Sequence, residues 1–493
     1  MESKSLLTGK TYTIPTNGND RPAIDAFVQQ HQGKKVVVVQ GLGFVGAVMS
    51  LICANALTEE YAVIGIDLAT SASYWKIKEI NAGQFPIVSS DPKVEQFYQQ
   101  AREKGNLLAT HDVYAYSKAD VIIVDINLDV VKQSGSQKVL EGYDVDLTPF
   151  KKAIKAIGDH CQEEVLILVE TTVPPGTCQH VVLPLIEKCF QERGLAPNYK
   201  IGHSYERVMP GPNYIDSIQN FYRVFSGINA QSEQAVEQFL RTIISTKEYP
   251  LTKLAGTNAT EMAKVLENSF RAMNIAFMEE WGSFAEEAGV NIYEVVQAIR
   301  MRPTHKNIML PGLGVGGYCL TKDPLLASWA KQEIFGSEEG LVQSEQAVRI
   351  NDQMPLHAVQ LLEQTIGELE GKKILLLGVS YLNDVGDTRY TPTELFLEEL
   401  EHKGAKVVLH DSYVTYWEEK ERTVATDLPS VLEENYDAIV ITTMHTEYKD
   451  NSAIKAYLSK NPSTAFIDTW GIVDCSKINN LPNKIKVLGR GDI

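Results

Sequence analysis

The sequence predicts an α/β protein: two Rossmann-like doubly wound domains joined by a long central helix. Three observations predict it. Short β-branched apolar runs alternate with helical stretches from Lys34 onward, and a second set of the same kind begins at Lys372. Between them lies an unbroken helical pattern over residues 258–288. Near-continuous apolar strands separated by helices imply parallel sheets covered on both faces.

Residues 1–33 are polar, rich in Thr, Asn and Gln, and read as an N-terminal extension or arm. Gly9-Lys10-Thr11 resembles the end of a phosphate loop, but position 4, where that loop needs its first glycine, is Lys4. The first α/β domain spans 34–245, with strands at 36–40, 62–67, 121–126 and 165–170. A central helical domain covers 246–365. Asn258 and Glu261, three residues apart, form a capping pair for its long helix, and Gly289 ends it. The last domain, 366–493, has strands at 374–378, 405–411, 438–443, 465–470 and 485–489.

Composition narrows the function. The net charge of −17 weighs against a nucleic-acid binder or an anionic-membrane binder, since neither is held without a basic surface. An anionic small molecule needs only a few local cations. No secretory signal is apparent at the start, and no apolar run approaches the ~18 residues that span a bilayer, so a cytoplasmic protein without membrane association is expected. Cys53, Cys161, Cys178, Cys189, Cys319 and Cys475 show neither zinc spacing nor the density of a disulfide scaffold. The ten histidines show no paired metal spacing, and no metal is expected. His445, near Glu447 at a strand end, reads as a surface or domain-interface group.

The first domain carries Gly41-Leu-Gly43-Phe44-Val45-Gly46 between a strand and a helix. Gly41 suits the tight turn, Gly43 the close approach of a pyrophosphate, and Gly46 the packing of helix on strand. The next strand ends at Asp67, 21 residues beyond Gly46. A carboxylate there accepts bonds from both ribose hydroxyls and repels a 2′-phosphate. Together they predict a site for NAD rather than NADP. The plainer alternative is a tight βα turn beside a solvated aspartate.

Three further places bear chemistry. The segment Gly312-Leu-Gly-Val-Gly316-Gly317-Tyr-Cys319 ends at a thiol, with Asp323 four residues on. It reads either as a ligand loop with an activated nucleophile or as a glycine loop before a buried structural cysteine. Glu261, Lys264, Asn268 and Arg271 share one helix face, which suits an oxyanion-steadying pair or, on spacing alone, a solvated face. Glu170 closes a core strand before a proline-rigid turn, where such sheets bind ligands.

Taken in order, these segments resemble the UDP-glucose/GDP-mannose dehydrogenase family of nucleotide-sugar dehydrogenases. The glycine fingerprint is followed by Glu170-Thr-Thr172-Val-Pro-Pro-Gly-Thr177 and Glu206-Arg207-Val-Met-Pro-Gly211. Lys264-x-x-x-Asn268, Gly-Val-Gly-Gly-Tyr-Cys319 with Asp323, and Asp387-Thr-Arg389 complete the series. The resemblance implies a four-electron oxidation of a sugar's primary alcohol to a carboxylate with two NAD. Cys319 would attack the aldehyde, Lys264 and Asn268 would steady the oxyanion, and Asp323 with Glu170 would handle protons and hydrolysis. Gly41, Gly43, Phe44, Val45, Gly46, Asp67, Asn127 and Thr172 would hold NAD. Glu206, Arg207, His305, Gly316 and Arg389 would contact a UDP-sugar, with the nucleotide on the second α/β domain. The family also implies a homodimer formed through the central helices, where Phe270, Phe277 and Trp281 suit burial.

The motif details look more like the UDP-N-acetylhexosamine branch than the UDP-glucose branch, which is kept as the alternative of the same mechanism. Tyr318 stands where the family usually has His, Asn127 where it has Thr, His305 where it has Arg, and Leu382 where it has Lys. A two-electron hydroxyacid-type dehydrogenase and a non-catalytic NAD-binding protein are the rival readings.

Overall fold

The computed structural model describes residues 1–493 apart from 16–18, 88, 135–139, 209–210, 475–476 and 479. The chain divides into two compact units. The first comprises Met1–Asp129, Val145–Val265 and Trp329–Ser337, and the second Val130–Asp144, Leu266–Ser328 and Glu338–Ile493.

Among the described residues, the first unit is built on one eight-stranded sheet. Its strands are β1 (Lys35–Gln40), β2 (Tyr61–Ile66), β3 (Leu107–Thr110), β4 (Val121–Val124), β5 (Leu166–Val169), β6 (Lys200–His203), β7 (Val224–Gly227) and β8 (Thr252–Lys253). They lie in the order β8-β7-β6-β5-β4-β1-β2-β3. All neighbours are parallel except β6 and β7. The 3-2-1-4-5-6 part of that order reverses direction between β1 and β4, and such a crevice is where doubly wound sheets bind ligands. β1, β2 and β4 are buried nearly end to end because helices cover both faces. Helix α1 (Phe44–Ala54) has nine buried residues and packs on β2.

The described residues of the segment 1–33 are folded onto this unit. Glu2–Lys4 and Thr11–Thr13 form an antiparallel hairpin, and Arg21–Gln30 a helix. Ser3, Ser5 and Ile24 are buried despite the polar composition around them.

The second unit contains a five-stranded parallel sheet: β9 (Lys373–Leu377), β10 (Lys406–His410), β11 (Ala438–Ile441), β12 (Ala465–Asp468) and β13 (Ile485–Val487). Its order, β10-β9-β11-β12-β13, is the 2-1-3-4-5 doubly wound arrangement, with its switch point between β9 and β11.

The long helix α2 (Thr257–Ala288) starts in the first unit and ends in the second. Gly289 ends it at φ +70°, a left-handed conformation that glycine adopts without strain. The expected capping pair at its start does not form. The helix begins one residue earlier, Asn258 Oδ1 has no partner among the described residues, and Glu261 is used elsewhere. Along its second-unit part, α2 exposes Leu266, Phe270, Phe277, Trp281 and Phe284. Among the described residues, no helix is long and apolar enough to cross a membrane.

Helices α3 (Cys319–Trp329) and α4 (Val342–Ile366) complete the central part of the second unit. His357 on α4 is clamped between two carboxylates of α2, Nδ1 to Glu279 at 2.7 Å and Nε2 to Glu286 at 2.9 Å. Burial opposes its charge, but the two carboxylates outweigh it and raise the imidazole from 6.5 to about 10. A pKa raised on folding stabilises fully below the unfolded value and loses that contribution as pH rises through the folded one. His357→Gln is therefore expected to lower the melting temperature at pH 6 by at least ~3 °C. The gap to wild type should close as pH passes 10. Melts recorded from pH 6 to 10.5 check this, and equal melting temperatures at pH 6 would refute it.

Candidate active site

The three glycines after β1 differ in their surroundings. Gly41 sits at φ +97°, and a Cβ there would run into the carbonyl of Asp125. A Cβ on Gly46 would strike the carbonyl of Gly41. Both are demanded by packing. A Cβ on Gly43 would meet nothing within 4 Å, so that glycine leaves open space at the N-terminus of α1. Phe44 is exposed there, and its carbonyl accepts a bond from Tyr214 Oη at 2.5 Å. Val45 follows in the first turn of α1. Asp67, just past β2, accepts the N–H of Leu42 at 3.0 Å and of Leu68 at 2.7 Å, which sets its carboxylate against the glycine loop. The open glycine, the N–H groups of the helix start and the adjacent carboxylate fit a dinucleotide with an unphosphorylated ribose.

The first turn of α2 is fastened to the same sheet. Glu261 is fully buried, and its carboxylate accepts the N–H of Gly176 at 2.6 Å and of Cys178 at 2.8 Å. It caps the helix that follows the Pro174-Pro175-Gly176 turn instead of its own. Burial pushes it up from 4.5 to about 7, and the surrounding donors pull the other way. Thr260 hydrogen-bonds His203 at 2.9 Å and Ser226 at 2.7 Å. Burial lowers His203 to about 3, so it is a neutral strut. One turn on, Lys264 is buried. Its ammonium donates to the carbonyl of Glu206 at 3.0 Å, lies 3.9 Å from the Glu206 carboxylate and rests over the Tyr205 ring. Glu206 in turn accepts the N–H of Val208. Arg207 lies over the rings of Tyr205 and Phe221. Met209 and Pro210 of that motif lie outside the described residues.

Glu170, at the end of β5, is buried and ion-paired with Arg223, whose guanidinium also donates to Ser204 Oγ and to the Ser204 carbonyl. Thr171 donates to the carbonyl of Ile126 at 2.7 Å, tying the loop after β5 to the loop after β4. Thr172 is half-buried beside it, and Asn127 is exposed. Sequence reasoning passed over Asp125 and Arg223. Both carboxylate oxygens of Asp125 are buried with no hydrogen-bond partner among the described residues. Burial, aided by Glu206, pushes Asp125 well above the usual carboxylate range. Nothing local in the sequence marks either residue: Arg223 meets Glu170 from another strand, and Asp125 is enclosed only in the folded chain.

In the second unit, Cys319 opens α3 and is exposed, whereas Cys53, Cys161, Cys178 and Cys189 are buried. Cys475 lies outside the described residues. The partial positive charge of a helix N-terminus favours an anion at that position. Four residues on, Asp323 is fully buried and accepts from Asn268 Nδ2 at 2.6 Å. Its other oxygen lies 3.3 Å from the ammonium of Lys322, which also covers the Tyr318 ring. Consecutive helical residues diverge by about 100°, so sequence spacing hides Lys322 as a counter-ion. Its four-carbon stem makes the reach.

The glycines before Cys319 are crowded. A Cβ on Gly316 would press on Tyr381, the Tyr390 carbonyl and Pro392. One on Gly317 (φ +77°) would strike the Tyr381 ring, and one on Gly312 the Trp470 ring. Gly317 N–H donates to the carbonyl of Arg389 at 3.3 Å. The Arg389 guanidinium is forked onto Asp387 at 2.6 to 3.2 Å. His305 is exposed in a short turn and hydrogen-bonds Thr304. Leu382 is exposed as well.

At the β9/β11 switch point, His445 is fully buried, not a surface group. Its Nδ1 accepts the N–H of Asp384 at 2.8 Å, and its Nε2 faces Asp411 at 3.0 Å. Asp411 also accepts from Val379, Ser380 and Tyr413. Among the described residues, no group of three His, Cys, Asp or Glu side chains is arranged to hold a metal ion.

Models of three successive domains match the chain: the NAD binding domain of the UDP-glucose/GDP-mannose dehydrogenase family over residues 34–244, its central domain over 258–353 and its UDP binding domain over 375–475. The chain belongs to this family. It is an NAD-dependent nucleotide-sugar dehydrogenase. The dehydrogenase is 31% identical over 418 residues to the UDP-N-acetyl-D-mannosamine dehydrogenase of Pyrococcus horikoshii, a match covering 84% of this chain and 90% of that one. It is 30% identical over 463 residues to the enzyme of the same name from Methanocaldococcus jannaschii, covering 93% and 97%. Among solved structures, that of the P. horikoshii UDP-D-ManNAc dehydrogenase is similar at TM-score 0.76 and 27% identity, covering 93% of this chain and 100% of that one. An NDP-N-acetyl-D-galactosaminuronic acid dehydrogenase from Methanosarcina mazei gives TM-score 0.76 at 25% identity, covering 95% and 98%.

The glycine environments generate a test. Gly43→Val is expected to keep the melting temperature of the dehydrogenase within ~2 °C while weakening NAD at least tenfold, because its side chain enters ligand space. Gly46→Val should instead destabilise the fold, because its side chain enters backbone. Paired melts and NAD titrations would expose the assignment as wrong if Gly43→Val bound NAD normally.

Proposed function

We propose that this dehydrogenase carries the primary alcohol of a UDP-N-acetylhexosamine through two successive oxidations to the uronic acid, with Cys319 as covalent anchor. The observation that carries the reading is the exposed thiol at the start of α3, one helical turn from the buried Asp323, which accepts from Asn268. The first oxidation removes a hydride and a proton from the alcohol and yields an aldehyde. Attack by the Cys319 thiolate forms a C–S bond, and the carbonyl oxygen takes a proton, giving a thiohemiacetal. Loss of a second hydride and that proton gives a thioester, and water cleaves the C–S bond to release carboxylate and thiol. Bound NAD accepts the hydride in each oxidation.

The residues divide the remaining work. Lys264 and Asn268 donate to the oxygen that gains negative charge. Asp323, poised by Asn268 and Lys322, accepts and returns protons. Glu170, paired with Arg223, orients water. Gly41, Gly43, Phe44, Val45, Gly46, Asp67, Asn127 and Thr172 hold the cofactor. Glu206, Arg207, His305, Gly316 and Arg389 contact the substrate, and the β9/β11 switch point receives the nucleotide. Support for an N-acetylhexosamine comes from relatives named UDP-N-acetyl-D-mannosamine dehydrogenase. We also propose a homodimer, because the stripe of Leu266, Phe270, Phe277, Trp281 and Phe284 is a contiguous apolar face that a second copy would cover.

Two measurements test this. NADH released per sugar, across UDP-N-acetylmannosamine, UDP-N-acetylglucosamine, UDP-N-acetylgalactosamine and UDP-glucose, should reach two with an N-acetylhexosamine. Cys319→Ser should lower kcat at least ~10³-fold or stop the reaction at one NADH. One NADH, indifferent to that substitution, would make the cysteine loop structural and favour a two-electron dehydrogenase. For the dimer, Phe277→Glu with Trp281→Glu should halve the mass measured by light scattering. A wild-type chain already monomeric at micromolar concentration removes the dimer proposal.

A further inference from the structure

The NAD-binding domain model matches from residue 34 onward, and the hairpin and helix lie before it. They do not pack at random on the first unit. The Ser3 side chain is fully buried and uses its hydroxyl twice, donating to the Ser71 carbonyl at 2.8 Å and accepting the Trp75 N–H at 3.0 Å. It thereby staples the turn that leads from Asp67 into the helix Tyr74–Ala82. Thr8 holds the far side of the hairpin to that helix by donating to Glu79 at 2.6 Å. Asp20, just before the helix Arg21–Gln30, accepts the Thr110 hydroxyl at 2.6 Å. The Thr110 carbonyl accepts the N–H of Asp67 at 3.2 Å.

Asp67 is thus approached from two sides, by the hairpin and by the segment that begins the helix Arg21–Gln30. On one side, Ser3 fixes the turn that follows it. On the other, Asp20 fixes the strand end that holds its own N–H. We infer that the hairpin of residues 2–13 and the helix Arg21–Gln30 with Asp20 before it are a brace for the adenosine half of the cofactor site, with Ser3 and Asp20 as positioning residues that set the Asp67 carboxylate for a ribose diol. The inference rests on the assignment of Asp67 to the ribose.

The chemistry of the brace fits this task. A buried hydroxyl that donates and accepts at once fixes both ends of a turn with one side chain. The turn itself is short of rigid elements. Thr70 and Ser73 share a hydrogen bond at 2.7 Å, Ser73 donates to the Leu68 carbonyl at 2.5 Å, and Leu68 is exposed. Without Ser3, the Ser71 carbonyl and the Trp75 N–H lose this partner, and the turn is free to shift Asp67 by the fraction of an ångström that a bidentate contact with a diol tolerates poorly.

The experiment uses the full chain with Ser3→Ala, Asp20→Ala and Asp67→Ala. It reads inhibition by ADP-ribose, which carries the adenosine half but no nicotinamide, beside KM for NAD, KM for the UDP-sugar and kcat. Melting temperatures are recorded, and assays are run well below the lowest of them. Expected for Ser3→Ala and for Asp20→Ala is a rise of about fivefold in the ADP-ribose Ki and in KM for NAD, with kcat and the sugar KM unchanged. Asp67→Ala should raise the same two constants at least as much. If both brace variants melt earlier yet keep the wild-type Ki while Asp67→Ala raises it, the brace is only structural and the inference is overturned. If Asp67→Ala itself leaves Ki unchanged, the ribose assignment has failed instead. A fall in kcat and in sugar affinity with NAD binding intact also overturns the inference.

Discussion

A single buried carboxylate governs how the first unit presents its chemistry. Glu261 lies in the first turn of α2, yet it serves the N–H groups of a different helix, at Gly176 and Cys178. Its position fixes the start of α2 against the proline turn after β5, and Thr260 adds a second fastening through His203 and Ser226. Lys264 is three residues further along the same helix, so its ammonium can only be where that fastening puts it. Burial lifts Glu261 to about 7, which shows how hard the interior presses on this charge. The donors around it keep the carboxylate form accessible. A helix whose second turn carries the enclosed Lys264 is thereby held at its first.

The parts legible in the sequence are those whose meaning is local. Gly41, Gly43 and Gly46 are spaced by the geometry of one turn, and Asp67 by the length of one helix and strand, so their pattern survives without knowledge of neighbours. The alternating apolar runs gave both sheets for the same reason. What stayed hidden depends on contacts between distant segments. Arg223 and Glu170 meet from separate strands. Asp125 stands out in no stretch of sequence, yet both its carboxylate oxygens are enclosed with no hydrogen-bond partner among the described residues. His445 follows a strand end, which usually faces solvent, and is enclosed by Asp411, the loop at Asp384 and the rings of Tyr413 and Tyr448. Asn258 and Glu261 had the spacing of a capping pair, but tertiary demand on the carboxylate won over the local use.

The acidic balance of the chain obscures a local pattern of compensated charge. Lys264 with Glu206, Lys322 with Asp323, Arg223 with Glu170, and Arg389 with Asp387 are each a cation beside a carboxylate. In the first three pairs both members are largely enclosed. Charges removed from water are tolerated when paired, and they gain precision of placement in return.

The glycine run before Cys319 has a consequence for modularity. Its residues are small because Tyr381, Tyr390, Pro392 and Trp470 occupy the space their side chains would fill. The loop before Cys319 is thus moulded on the domain that carries the β9/β11 switch point, and the two form one structural unit. Chimeras that exchange C-terminal domains between relatives at the conventional boundary would separate a loop from its mould. Only a junction placed ahead of Gly312, moving loop and domain together, preserves the fit. The same contact means that a substitution at Tyr381 is felt two residues from Cys319, through the backbone of Gly316 and Gly317.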